Sequence, residues 1–200
     1  MRLKIAIIGT RGIPNRYGGF EQLAEYLSIG LVKNGHEVTV YNSHKHPFKE
    51  NELRGVKIVR CYDPEYCIGT AGQFIYDLNC VLNARKNKFD VLLFLGYSSS
   101  SIWGRFYPKQ SIIISNMDGL EWKRLKYSKP VRWFLKHAER FAIKYSNFFI
   151  ADSIAIQSYL GKKYKIESKY IPYGAKIYEE INDSIFKQYN ITKKNDFILG

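Results

Sequence analysis

The sequence predicts an α/β protein, a doubly wound parallel sheet of about seven strands, and three observations carry that expectation. Short apolar runs alternate with amphipathic stretches from Leu3 to about Tyr173, the order that builds βαβ crossovers. The runs at Lys4–Ile8 and Phe89–Leu95 are almost wholly apolar, as strands buried on both faces are. Several of these runs open into glycine or polar loops, which in an open α/β sheet form the ligand-binding edge.

The first run, Lys4–Ile8, stops at Gly9. A polar loop through Thr10, Arg11, Gly12, Ile13, Pro14, Asn15, Arg16 and Tyr17 follows and closes on Gly18-Gly19. Phe20, Leu23, Ala24, Leu27 and Leu31 then recur at helical spacing. The glycines fit an anion cradle at a helix start, and fit equally well as turn punctuation. They do not make the G-x-G-x-x-G dinucleotide fingerprint. Gly35 is placed to end the helix, and Glu37–Tyr41 is a second strand. It ends in Tyr41-Asn42, without the acidic residue that binds a dinucleotide ribose, which disfavours an NAD enzyme. Asn42–Leu53 reads as a polar loop in which His44 and His46 lack the partners of a metal site.

Gly55–Arg60 is a third strand, and a helix follows from about Gln73 to Lys86 with Phe74, Leu78, Val81 and Leu82 facing inward. Phe89–Leu95 is the central strand and leads into Gly96-Tyr97 and Ser98–Ser101. Those serines can cap the next helix or hydrogen-bond a sugar or phosphate, and capping is expected of at least one. Ser111–Ser115 is a fifth strand. Beyond it Asn116, Asp118, Glu121, Trp122, Lys123 and Arg124 cluster at the ligand-binding edge. Pro130–Tyr145 is a long helix, Asn147–Ala151 a strand, and Asp152 and Ser153 can cap the helix after it. Lys169–Ile171 is a seventh strand, and Asp196–Gly200 reads as the start of another.

The net charge of +13 calls for an anionic partner: nucleic acid, an acidic membrane or a phosphorylated ligand. Three cysteines in no zinc pattern, and Met1 leading straight into a strand, fit reduced thiols in a cytoplasmic protein. No apolar run reaches transmembrane length.

IAIIGTRGIPNRYGGFEQLAEYL, GHEVTVY and NMDGLEWKR together resemble the amino-terminal half of bacterial GT4-type glycosyltransferases, closest to their rhamnosyltransferase-like subgroup in cell-surface polysaccharide synthesis. The resemblance covers nearly the whole chain and implies the Rossmann-like N-terminal domain of a GT-B fold. Residues 1–190 would then form the acceptor-side domain. Residues 191–200 would be the linker and first strand of a donor-binding domain, so that this stretch holds half a site and is inactive alone. The resemblance implies a nucleotide diphosphate sugar as donor, a lipid-linked saccharide as acceptor, retention of configuration, and neither metal nor cofactor. Carried onto this sequence, it places the donor diphosphate at Gly18 and Gly19, with Arg16, like Arg11, either meeting phosphate charge or solvated on the loop, and makes Asp118 and Glu121 the catalytic pair. Asn116, Arg124 and Tyr97 would bind sugar or acceptor. Asp118 stands where many relatives carry a histidine, which leaves its role open. A GT-B sugar-nucleotide epimerase is the alternative within the same fold.

The basic excess concentrates between Lys123 and Lys144, opposed there only by Glu139. Arg132, Lys136 and Arg140 share one helical face. They form either a solvated face or a peripheral membrane contact with anionic lipid on the inner side of the plasma membrane. A nucleic-acid-binding module is the rival from another class, but no recognition motif accompanies the charge.

Overall fold

The computed structural model describes residues 1–174. The strand expected at Asp196–Gly200, and with it the boundary near 191, lies outside these residues. Eight strands occur in the order β1 (Lys4–Ile8), β2 (Glu37–Ser43), β3 (Glu52–Leu53), β4 (Val56–Cys61), β5 (Val91–Leu95), β6 (Ile112–Met117), β7 (Phe148–Ala151) and β8 (Lys169–Tyr170). Five helices lie between them: α1 (Gly19–Lys33), α2 (Glu65–Ile68), α3 (Gly72–Asn87), α4 (Lys129–Tyr145) and α5 (Ile154–Tyr164).

The strands form one sheet ordered β3-β4-β2-β1-β5-β6-β7-β8. All neighbours are parallel except β3 and β4. The seven parallel strands are those expected. The eighth, β3, is two residues of the segment read as a loop, turned back on β4 by the positive-φ pair Arg54-Gly55. Two residues are too few for side-chain alternation to announce a strand.

From β1 the chain winds outward through β2 and β4, then returns to β1's other side with β5 and winds the opposite way. That reversal leaves a crevice between the carboxyl ends of β1 and β5, the topological switch point at which open sheets bind ligands. Gly9 makes the crevice possible. It has φ of +99°, and a Cβ there would lie 2.3 Å from the Leu95 carbonyl oxygen.

Both faces of the sheet are covered. Ile7, Val38, Val40, Ile58 and Leu93 pack against Phe20, Leu23, Ala24 and Leu27 of α1. Ala6, Ile8, Leu92 and Phe94 pack against Tyr76, Cys80, Val81 and Ala84 of α3. The inward face of α3 thus departs from the expected one: Tyr76 is buried and Leu82 is exposed. Tyr76 can go inside because its hydroxyl donates to the carbonyls of Thr10 and Tyr41 at 3.0 and 2.9 Å. A third cluster joins Met117 and Phe149 to Ala138 and Ala142 of α4 and Leu160 of α5.

The capping expectations divide. Ser153 caps α5, its Oγ accepting from the Ile156 N–H at 3.3 Å, and the proline expected in the first turn of α4 is there. The serine run does not cap. Ser101–Phe106 is a 3-10 turn without a side-chain cap. Instead the Ser99 hydroxyl donates to Asp77 at 2.5 Å and that of Ser101 to the Ala138 carbonyl at 2.8 Å.

Candidate functional site

The crevice is a cleft of about 330 Å3. Three segments build it: the loop after β1 with the start of α1, the loop after β5, and the Asp118–Glu121 turn after β6. Gln73 and Asp77 of α3 close its side.

The first wall is backbone. Gly18 is extended and no side chain caps α1, so the opening N–H groups of the helix have no side-chain acceptor. A methyl group on Gly19 would meet no described atom within 4 Å, and one on Gly18 only Glu21 Oε2 at 3.4 Å. Thr10, 2% exposed, also lines the cleft, and its buried hydroxyl has no partner among the described residues. The loop itself is held by Asn42, whose amide accepts from the Ile13 N–H at 3.1 Å and donates to the Ile13 carbonyl at 2.8 Å.

The second wall is carboxylic. Asp118 is half-buried, and burial pushes its carboxyl up to about 7. Glu121 and Asp152 add to that shift, while a backbone N–H and Arg124 oppose it. Asp77, 1% exposed, is likewise pushed up by burial to about 7, against the hydrogen bonds from Ser99 and Gln73. With Glu21 and Glu121, four carboxyl groups line the cleft against one guanidinium, Arg11, among the described residues. Arg11 is already engaged: its Nε and Nη2 donate to Glu65 at 2.9 and 2.5 Å.

Gly18, Gly19, Asp118, Glu121 and Tyr97, singled out from the sequence, meet in this cleft. Arg16, Asn116 and Arg124 do not line it. Arg16 is exposed on the loop. Arg124 lies outside, its Nε 2.9 Å from Glu121, which also accepts from the Tyr127 hydroxyl at 3.2 Å. Asn116 is buried within β6 and donates to the Tyr173 hydroxyl at 3.1 Å. Tyr97 is buried, and its hydroxyl donates to the Gly119 carbonyl at 2.8 Å, so it braces the Asp118 turn. Burial raises it far above the ordinary tyrosine range, with nearby carboxyl groups adding to the effect.

Of the three cations placed on one helical face, Arg132 turns inward and donates to the Trp122 carbonyl at 2.8 Å. Lys136 lies 5.3 Å from the Trp122 ring centroid, and Arg140 is exposed. Behind Trp122 lies a node that no motif announced. Glu139, fully buried, accepts from Trp122 Nε1 at 3.0 Å, the Tyr159 hydroxyl at 2.8 Å, Lys163 Nζ at 2.8 Å and the Tyr164 hydroxyl. Burial raises its affinity for a proton, but the bonds from Lys163, Tyr164 and Tyr159 outweigh that and leave it below the usual glutamate range. Asp77 was missed too, because a lone acid in a helix carries no pattern.

Among the described residues no cluster of three His, Cys, Asp or Glu could hold a metal, and no helix is long and apolar enough to cross a membrane.

The family model described as "Domain of unknown function (DUF1972)" matches residues 2–176. No curated protein matches the sequence. Among solved structures, sucrose-phosphate synthase from Thermosynechococcus elongatus superposes with a TM-score of 0.53 at 12% identity, covering 95% of this chain and 96% of that one. Arabidopsis thaliana UGT89C1 complexed with UDP superposes with a TM-score of 0.56 at 10% identity, covering 94% of this chain and 56% of that one. An alpha-glucosyltransferase in complex with UDP and DNA reaches a TM-score of only 0.45 at 12% identity, over 76% of this chain and 37% of its own. The chain thus spans little more than half of one of these proteins and about a third of another. At these identities the likeness concerns the fold, which is that of the Rossmann-like domain of GT-B proteins.

Proposed function

The chain belongs to the DUF1972 family, whose description assigns no activity, and from its site we propose that it forms the acceptor-side half of a glycosyltransferase using a nucleotide diphosphate sugar. One observation carries the reading: an open, glycine-lined helix start faces a wall of carboxyl groups across a single cleft at the switch point. The two walls suit the two ends of such a donor. Backbone N–H groups and the helix dipole at Gly18-Gly19 meet the diphosphate, and no Cβ keeps it from close approach. Asp118 and Asp77 accept hydrogen bonds from sugar hydroxyls, which a carboxylic wall favours over phosphate. The UDP in the UGT89C1 structure belongs to a protein of the same fold and agrees with that choice.

The finer reading rests on the three sequence motifs. It makes the protein a GT4-type, rhamnosyltransferase-like enzyme that retains configuration, needs no metal and uses a lipid-linked acceptor. Negative charge developing on the leaving diphosphate is met by the N–H groups of α1, which are already oriented for it. Asp118 orients the transferred sugar, and Glu121, held by Arg124 and Tyr127, fixes the turn that carries it.

The test is donor hydrolysis by the full-length protein against a panel of nucleotide sugars. One donor is expected to turn over, and Asp118→Ala to lower kcat by roughly 100-fold. Gly19→Ala should raise the donor KM by about tenfold with no loss of thermal stability, since its methyl group meets no protein atom. Unchanged kinetics in both variants would show that the site is misplaced. Failure to hydrolyse any donor would overturn the reading.

A lipid-linked acceptor requires docking at the inner face of the membrane, and α4 offers a surface for it. On α4 Trp133 is 66% exposed, with Lys129, Arg140 and Lys144 exposed on the same helix, and in the segment before it Leu125 is 88% exposed and Lys126 is exposed. Each such cation contributes about 1 kcal/mol at an anionic surface, and an exposed Trp suits the interface. Co-sedimentation with phosphatidylglycerol vesicles at low salt should fall several-fold in Trp133→Ser/Arg140→Glu. The absence of any sedimentation by the wild type sinks this part.

A further inference from the structure

Beside the cleft and at its rim, the chain displays tyrosine rings that lie outside the core. Tyr62 is 53% and Tyr66 59% exposed, and Tyr17, on the rim of the cleft, 73%. Such residues ordinarily bury their rings, and a contiguous exposed set marks a contact surface.

These rings are held rather than loose. His44 stands between Tyr62 and Tyr66, with ring centroids 5.1 and 5.9 Å away. Its Nδ1 accepts from the Asp63 N–H at 3.0 Å. The Asp63 carboxyl accepts from the Glu65 N–H at 2.9 Å, and Asn79 donates to the Tyr62 carbonyl at 3.0 Å. Lys45 Nζ lies 4.4 Å from the Tyr66 centroid and the Arg11 guanidinium 4.1 Å from that of Tyr17. Each cation lies over its ring, and both rings remain more than half exposed.

The surface continues into the cleft through one ion pair. Glu65, adjacent to Tyr66, binds Arg11, which stacks on Tyr17 at the cleft rim. A ligand seated across Tyr66 and Tyr17 therefore leads directly to Asp77 and Asp118.

We propose that Tyr62, Tyr66 and Tyr17 form a platform on which the sugar rings of a saccharide acceptor stack as it enters the cleft. A pyranose has an apolar C–H face and a rim of hydroxyls. The platform offers the matching pair: flat rings for the face, and the His44 imidazole, the Lys45 ammonium and tyrosine hydroxyls for the rim. Because the rings are already pinned, little ordering entropy is lost on contact. The identity of the ligand rests on the sugar-transfer reading above.

The test uses the full chain, 15N-labelled, titrated with maltotriose and with cellotriose at millimolar concentration, and alkylation of Cys67, the exposed cysteine of the three. Amide shifts confined to residues 44–45 and 61–69 and the Tyr17 loop, with slower Cys67 alkylation, are expected for at least one sugar. Tyr66→Ala should weaken that binding by about fivefold, the effect of one aromatic contact, and Tyr62→Ala/Tyr66→Ala should abolish it. Shifts with neither sugar, shifts unchanged in the double variant, or shifts that follow protein concentration alone, as contact between two copies would give, overturn the platform. Donor hydrolysis without acceptor separates the two readings. It should be unchanged in the double variant. A wild type that binds saccharide but hydrolyses no donor loses the transfer reading and keeps the platform.

Discussion

Asp77→Asn is expected to make the protein more stable at pH 8 and to weaken the proposed ligand site. The carboxyl is buried in the wall of the cleft and, among the described residues, has a serine and a glutamine as its side-chain partners and no cation. Burial holds it at about 7, against about 3.9 in the unfolded chain. A folded value above the unfolded one means that the native state binds more protons between about pH 4 and 7. Stability from this group is therefore full below about pH 4, is lost as pH rises through that window, and levels off above 7. The loss is on the order of 2–4 kcal/mol, or roughly 5–15 °C in Tm for a domain of this size. Asparagine has no proton to lose, so the variant should gain that much at pH 8 and nothing at pH 4. Asp118, also raised to about 7, keeps its share of the slope. Thermal unfolding at pH 4, 6 and 8 measures the sign directly, and an equal shift at all three would refute the assignment. A costly buried acid that faces a cleft, with no structural cation, is the pattern of a group retained for function. Donor hydrolysis or saccharide transfer should accordingly fall by an order of magnitude or more in the more stable variant.

What could be read from the sequence were features in which neighbouring residues carry the signal. Lys4–Ile8 and Phe89–Leu95 are apolar without interruption because strands in the middle of a parallel sheet are covered on both faces. Gly18-Gly19 and Asp118 stood out because each follows a strand, and strand ends of a parallel sheet share one edge. Features built from distant residues stayed hidden. Arg11 and Arg16 look alike in the loop; only Glu65, 54 residues from Arg11, makes one an ion-paired brace. Asp77 gains its meaning from Ser99, 22 residues on. The serine run fitted a cap by composition, but α3 and α4 supply better partners for its hydroxyls.

Glu139 was the least legible residue and is the one whose loss should cost the most. In the sequence it is a lone acid in a basic helix, where a solvated ion pair is the ordinary reading. In the fold it is wholly buried, and its partners come from two segments, the Trp122 turn and α5, 17 to 25 residues away. Glu139→Ala strands the Trp122 indole N–H and two tyrosine hydroxyls and leaves the Lys163 ammonium without its counter-charge. Removing one partner of such a buried network costs about 3 kcal/mol or more, so Tm should fall by roughly 6–12 °C. Glu139→Gln keeps the shape but turns an N–H2 toward donors, and should recover only part of that loss. The folded value of this carboxyl lies below the unfolded one. Its contribution is therefore present above the unfolded glutamate pKa of about 4.3 and is lost as pH falls through the folded value. The penalty for Glu139→Gln should consequently shrink in acid, whereas that for a packing defect would not. The effect should reach the cleft as well. Trp122 follows Glu121 directly, and its ring and carbonyl tie that turn to Glu139 and Arg132. With Glu139 gone the turn carrying Asp118 loses its anchor, and the donor KM should rise at temperatures where the variant is still folded. A Glu139→Gln variant with wild-type stability at neutral pH would remove this node from the account of both fold and site.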